Sequence, residues 1–270
     1  MEKVNRIAVV GGDMRSVYAS QALARYGFQT SLFGFSDDLF FDVIDGADAV
    51  LLPVNLRGNV ISTKSGSLSL ENIVSSSENA VFFGGKCVHD DIFCGRRAYD
   101  LTENEVFAAE NAVLTAEGAL GIMIDKLPVA INDATVDVLG YGRIGKSLSH
   151  MASALGANVY VTARSDAARR EAGKTCTAVD FSDAIPMCDC IVNTVPSIVF
   201  TSEQLAAVPF STLVIELASS PGGFEKSFIE LKKDKYISAP GLPGKISPVS
   251  AGRIIAKAVY NILKGEKLRC

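Results

Sequence analysis

The hexapeptide Gly140-Tyr141-Gly142-Arg143-Ile144-Gly145 is the part of this sequence whose residue types and spacing point most directly to chemistry. An apolar run leads into it and a helical pattern, residues 143 to about 155, follows. In that context each glycine has its own task. Gly140 permits a tight turn, Gly142 lets a pyrophosphate approach the backbone, and Gly145 lets the helix sit close to the strand. The free N–H groups and positive end of the helix then face the phosphates. The end of the next strand selects the coenzyme. An NAD site places Asp or Glu there to bind the ribose hydroxyls, but this chain reads Ala163-Arg164-Ser165. Without the carboxylate a 2′-phosphate is not repelled, and a guanidinium and a hydroxyl can bind it, so NADP is the expected cofactor. Arg169 and Arg170 read as a solvated helix face. A later strand end, Asn193-Thr194-Val195-Pro196, falls at the carboxyl edge of the sheet, and its backbone is expected near the nicotinamide ribose.

These residues need a frame, and the chain writes the same pattern twice. Residues 6–12 form an apolar β run ending in Gly11-Gly12. A helical pattern with Val17, Ala19, Leu23 and Ala24 on its apolar face follows, then a strand at 30–34. Residues 135–162 repeat the order. Further short runs at 49–53, 80–83, 190–193, 213–216 and 236–239 are apolar on both faces, as buried parallel strands are. The expected fold is therefore α/β: two Rossmann-like lobes with parallel sheets and a cleft between them. Residues 1–126 are expected to form the N-terminal, substrate-holding lobe and residues 127–246 the NADP-binding domain. The last helix, within 247–270, is expected to pack back on the first lobe. Thr102-Glu103-Asn104-Glu105 has capping-box spacing for a short helix, and Thr115 reads as the cap of a second. Segment 56–79, rich in Ser, Gly and Asn, reads as an exposed loop.

Composition sets the outer limits. With 48% apolar and 21% charged residues among 270, the chain is too apolar for disorder. A net charge of -4 offers no basic surface for nucleic acid or an anionic membrane. The N-terminus lacks a signal-peptide pattern, and no apolar segment approaches the ~20 residues of a membrane span, so a cytoplasmic location is expected. The cysteines at 87, 94, 176, 188, 190 and 270 lack paired CxxC spacing and read as small buried side chains (Cys270 as part of a tail), with neither metal nor disulfide.

Motifs across nearly the whole chain resemble the family formed by the first of the two dipicolinate synthase subunits. They run from Ile7-Ala8-Val9-Val10-Gly11-Gly12-Asp13 with Arg15, through Leu51-Leu52-Pro53-Val54, Thr115-Ala116-Glu117-Gly118 and the glycine motif, to Ala163-Arg164-Ser165 and Asn193-Thr194-Val195-Pro196-Ser197. Leu217-Ala218-Ser219 with Pro221-Gly222-Gly223, and Ala239-Pro240-Gly241-Leu242-Pro243-Gly244, are the most specific. The resemblance implies oxidation of dihydrodipicolinate to dipicolinate with NADP+ during sporulation, in a heteromeric complex with the flavoprotein-like second subunit of dipicolinate synthase. A homo-oligomer is expected as well. The resemblance also implies an architecture related to the D-2-hydroxyacid dehydrogenases. Those enzymes carry a catalytic His in a Pro-His pair after the final strand, where this chain has Pro240-Gly241. His89 and His150 do not replace it. Ser219-Ser220 stands where some members have a basic residue at the second position.

A cyclic dicarboxylate losing hydride needs a positioned ring and two neutralised carboxylates more than heavy acid–base machinery. Arg15 is the first candidate for a carboxylate clamp, with the Gly241–Gly244 backbone and Lys245 next. Glu117, read as lying in the first turn of an inter-lobe helix, is the candidate proton acceptor, and Asp13 the alternative. Two rival readings stay open: an NADP-dependent dehydrogenase of another amino or keto acid, and a non-catalytic NADP-binding protein.

Overall fold

A computed structural model describes residues 4–36, 42–56, 58–64, 66–77, 79–183 and 185–265. The tail around Cys270, and residues 266–270 of the expected terminal segment, lie outside them. The described chain divides into two compact units, one running to Asn111 and resuming at Pro243, the other Ala112–Leu242.

In the first unit, strands β1 (Arg6–Val10), β2 (Gln29–Phe33), β3 (Ala49–Leu51), β6 (Val81–Gly84) and β7 (Ala98–Asp100) make one parallel sheet in the order β2-β1-β3-β6-β7. Alternate residues of β1 feed opposite cores. Ala8 and Val10 face Phe33, Ile44 and Phe82, while Ile7 and Val9 face Ala19, Leu23, Ile255 and Val259. The helix Pro248–Leu263 lies against the helix Met14–Arg25: Tyr26 and Tyr260 stack with ring centres 4.5 Å apart. A Cβ on Gly252 would come within 2.7 Å of the Arg15 carbonyl, so a glycine is required where these helices touch. The buried stripe of Met14–Arg25 is Arg15, Ser16, Ala19, Ser20 and Leu23, with Ala24 exposed rather than on the apolar face.

Segment 56–79 is not a plain loop. It holds an antiparallel hairpin, β4 (Val60–Thr63) with β5 (Gly66–Ser69), and the helix Leu70–Ser75. Ile61 pairs with Leu68 across the hairpin, and both side chains enter the core. Ser62, Ser67 and Ser69, which helped make the segment look exposed, occupy the other face. Two helices expected from residue 102 onward are one, Glu105–Lys126. Its cap is Asn104, whose Oδ1 accepts from Phe107 N at 2.9 Å. Thr102 instead closes a short turn on Asp100, and Thr115 is buried in mid-helix, in the stretch that also buries Ala116, Ala119, Leu120 and Met123. This 22-residue helix meets the length and apolarity of a membrane span, which the sequence pattern did not lead one to expect. Half of that window is buried against protein.

The second unit holds β8 (Thr135–Leu139), β9 (Asn158–Thr162), β10 (Thr177–Val179), β11 (Cys190–Asn193), β12 (Leu213–Glu216) and β13 (Tyr236–Ser238). They pair in parallel in the order β10-β9-β8-β11-β12-β13, the doubly wound dinucleotide-binding order. Edge strands β7 and β10, three residues each, have too little pattern to be read from sequence.

One core position breaks the apolar rule. Asp137 in β8 is fully buried; its Oδ1 accepts the Thr162 hydroxyl at 2.8 Å, but its Oδ2 has no partner among the described residues. Burial dominates and the Thr162 bond opposes it only in part, so the carboxyl is raised from 3.8 to about 6. With the folded value above the unfolded one, its stabilising effect is full below about pH 4 and is lost as pH rises through 6. Asp137→Asn should match the parent near pH 4 and be more stable at pH 8, by roughly 3 kcal/mol at most on about 1.4 kcal/mol per unit. Melting temperatures across pH 4–8 would show parallel curves if the carboxyl carried no such cost.

Candidate functional site

The strand order of the second unit reverses between β8 and β11, and ligands of such sheets collect outside the carboxyl ends at that point. Gly140 follows β8 there with φ +92°, its N–H donating to the Thr162 carbonyl at 2.8 Å. A Cβ on Gly140 would lie 2.7 Å from Thr194 Oγ1 and 2.8 Å from Val195 Cγ2; one on Gly145 would run into the Gly140 carbonyl. Gly142 meets open space and begins the helix Arg143–Ala154 with no side-chain cap. The first-turn N–H groups therefore face outward without a capping side chain, which fits a phosphate group. Arg143 is exposed and Ile144 half-buried beside the core of this unit.

Thr194 ties the neighbouring strand end to this turn. Its N–H and hydroxyl both donate to the Leu139 carbonyl, at 3.0 and 2.7 Å. Asn193 is fully buried, and its side chain brackets Val195, accepting from Val195 N at 3.0 Å and donating to Val195 O at 2.9 Å. Pro196 is exposed. Asn193 Nδ2 also donates to Glu216 at 2.7 Å. Glu216 was not singled out from sequence. It falls in the run 213–216 that reads as a buried strand, and only its register opposite Asn193 reveals the pairing.

At the end of β9, Ala163 is buried, while Arg164 and Ser165 are exposed. Ser165 caps the helix Asp166–Ala172, accepting from Ala168 N at 3.2 Å. Arg169 is not a solvated residue. Its Nη1 donates to the carbonyls of Ala163 at 2.7 Å and Arg164 at 2.8 Å, and its guanidinium pairs with Asp166 and Asp180. It fixes the loop that Arg164 projects from.

The first unit presents its own switch point, between β1 and β3. A cavity of about 280 Å³ lies there, lined by Gly12, Asp13, Pro53, Asn55 and Ser62 with Leu56, Val60 and Ile61. Asp13 caps the helix Met14–Arg25 and binds Arg15 through both carboxylate oxygens, at 2.7 to 3.1 Å. Burial pushes the Asp13 carboxyl up, but the hydrogen bonds and charge of Arg15 outweigh it, and the group lies below its ordinary value. Arg15 is nearly buried, with Gly244 packed over it; a Cβ there would lie 2.7 Å from Arg15 Nε. Lys245 is exposed. Glu117 is exposed in the middle of the helix Glu105–Lys126, not in a first turn, so neither a cap nor a helix end acts on it.

His89, in the first unit, stands 3.2 Å from Asp100 and 3.3 Å from Glu103, and His150 is exposed. The five described cysteines are free thiols. Burial pushes Cys188 to about 12, so it is no nucleophile at neutral pH.

Known proteins match this arrangement. The family model of the D-isomer specific 2-hydroxyacid dehydrogenase NAD binding domain matches residues 100–221. The first dipicolinate synthase subunit of Bacillus subtilis (strain 168) is 30% identical over 96% of this chain and 95% of its own length. The crystal structure of the same dipicolinate synthase subunit from Bacillus halodurans covers 97% of this chain and 99% of its own, with 29% identity and a TM-score of 0.84. An apo D-lactate dehydrogenase from Escherichia coli, 15% identical with a TM-score of 0.62 over 98% of both chains, shares the fold. The matched domain supports a nicotinamide cofactor and an oxidoreductase.

The glycine contacts make a direct test. Gly145→Ala should weaken binding of a nicotinamide dinucleotide about tenfold or more, because the turn must open to admit the methyl group. Fluorescence titration measures it, and unchanged affinity would mean the turn does not face the coenzyme.

Proposed function

The chain belongs to the family of the first dipicolinate synthase subunit, and from that premise we propose that it oxidises dihydrodipicolinate to dipicolinate with NADP+ in the cytoplasm of a spore-forming cell, working with the second subunit. One observation carries the reading: a chain matching this family over 96% of its length keeps an uncapped helix N-terminus, and a turn too tight for a Cβ at Gly140 or Gly145, at the switch point of its second sheet. Gly140, Gly142 and Gly145 would hold the pyrophosphate, and residues 193–196 the nicotinamide side.

NADP over NAD rests on the strand end. Ala163 supplies no carboxylate, Arg169 is committed to the backbone there, and Ser165, whose Oγ accepts the cap bond from Ala168 N, keeps its O–H to donate to a phosphate. Of the two exposed arginines, 164 and 170, Arg164 directly follows Ala163 at the strand end, and its side chain makes no hydrogen bond among the described residues; it is the proposed charged ligand of the phosphate.

The bound coenzyme supplies a hydride acceptor; the chain's own residues hold the ring and handle its charges. Arg15 is fixed by Asp13 through Nε and Nη2, and its Nη1 makes no hydrogen bond among the described residues. The Arg15 charge offsets that of Asp13, so the neighbouring cavity does not repel a dicarboxylate. Asp13, held below its ordinary value by that pairing, serves as the orienter of Arg15 rather than as a base. Glu117 is the proposed proton acceptor, its exposure leaving both oxygens open to water.

Purified chain, alone and with its partner, should convert dihydrodipicolinate and NADP+ to a product with pyridine dicarboxylate absorbance. NADPH should bind more tightly than NADH, and Arg164→Ala should cost about tenfold for NADPH with little change for NADH, the loss of one charged contact. Product formed only by the partner, or tighter NADH binding, would overturn the corresponding part. Glu117→Gln should lower kcat at saturating substrate by about a hundredfold; full kcat in that variant would remove Glu117 from the reaction.

A further inference from the structure

Glu216 lies outside every motif that carries the family resemblance, yet it is the buried carboxyl group nearest in register to the strand end proposed for the nicotinamide side. The residue is 4% exposed, at the last position of β12, directly opposite the fully buried Asn193 of β11. Both its oxygens are engaged. Oε1 accepts from Asn193 Nδ2 at 2.7 Å and from Ala218 N at 2.9 Å, and Oε2 accepts from Gly223 N at 2.8 Å. Two loops hang on this one side chain. Through Asn193 it sets Val195, next to the Thr194 that is bound to the Leu139 carbonyl; through Ala218 and Gly223 it closes the turn carrying Ser219 and Ser220. The packing leaves no slack. A Cβ on Gly222 would lie 3.0 Å from Glu216 Oε2, and one on Gly223 would overlap the Asn193 amide.

Both loops leave the carboxyl edge of the sheet on the side of β8 away from Ala163, because β11 and β12 lie opposite β9 in the strand order. A dinucleotide with its adenine half at Ala163–Ser165 and its pyrophosphate on the glycine turn has only its nicotinamide half on that side. We propose that Glu216 is a positioning residue for the nicotinamide half of the coenzyme: it holds residues 194–195 and 218–223 as one preformed surface, without touching the reacting atoms. Three N–H donors fix its two oxygens between the loops, so the role is geometric.

The inference rests on the coenzyme site proposed for the glycine turn, and the test separates the two. Glu216→Gln keeps the shape but puts an amide N–H against a backbone N–H. NADPH and adenosine 2′,5′-bisphosphate, which lacks the nicotinamide half, are titrated into parent and variant. Glu216→Gln should weaken NADPH about tenfold and leave the bisphosphate within about twofold, the size expected for a disturbed charged hydrogen-bond set. Asn193→Asp, which sets a second carboxylate against Glu216 and against the Val195 carbonyl, should show the same split between the two ligands. Equal weakening of both ligands, or no change in either, overturns the positioning role while leaving the coenzyme site standing. A parent protein that binds neither ligand removes the coenzyme site and this inference together.

Discussion

The chemistry proposed for the second unit depends on how closely three strand ends approach one another at its carboxyl edge. Thr194 spends both its N–H and its hydroxyl on the Leu139 carbonyl, and Gly140 sits where any side chain would strike Thr194 and Val195. Gly145 then packs on the Gly140 carbonyl, which pulls the helix Arg143–Ala154 onto the strand and aims its uncapped N-terminus outward. The glycines and the threonine are one constraint seen from two strands. A phosphate-binding helix end is only as well aimed as the turn that anchors it.

Two buried carboxylates in the same sheet show what polar satisfaction decides. Glu216 is raised by burial, and the N–H groups of Gly223, Asn193 and Ala218 pull against that shift. Asp137 has a single hydroxyl and an orphan oxygen, and burial carries it to about 6. Three N–H donors hold the first arrangement rigid, which suits a group that organises loops. The second is a standing cost to the fold in the middle of β8. Its neighbours Val136 and Val138 are fully buried apolar residues, so the strand tolerates the charge without needing it for pairing.

The repeated strand–turn–helix frame was readable from sequence because parallel strands buried on both faces are nearly continuous apolar runs, as in Val81–Gly84 and Cys190–Asn193. The hairpin Val60–Ser69 was hidden, since among its described residues only Ile61 and Leu68 are buried and the sequence there is otherwise largely Ser, Thr and Gly. The helix Glu105–Lys126 read as two, because Thr102 and Thr115 have the chemistry of caps. Local propensity lost to packing there: Thr115 is buried along with Ala119 and Met123. The site followed the same division. The glycine turn is a local motif and was legible; the Asn193–Glu216 pair joins residues 23 positions apart through register, and nothing local announces it.

Arg169 shows why the coenzyme preference needs geometry as well as composition. Three arginines, at 164, 169 and 170, follow β9, and by charge alone any of them could meet a 2′-phosphate. Arg169 is folded back on two backbone carbonyls and paired with Asp166 and Asp180, so recruiting it would break a loop it holds together. Ser165 Oγ accepts the helix-cap bond from Ala168 N, which leaves its O–H proton to donate to a phosphate beside Arg164. A bound phosphate stabilises the folded site most where it replaces water rather than an existing protein bond. On that ground Arg164 carries the proposed discrimination, and Arg169 acts on it indirectly by fixing the carbonyl from which its backbone continues.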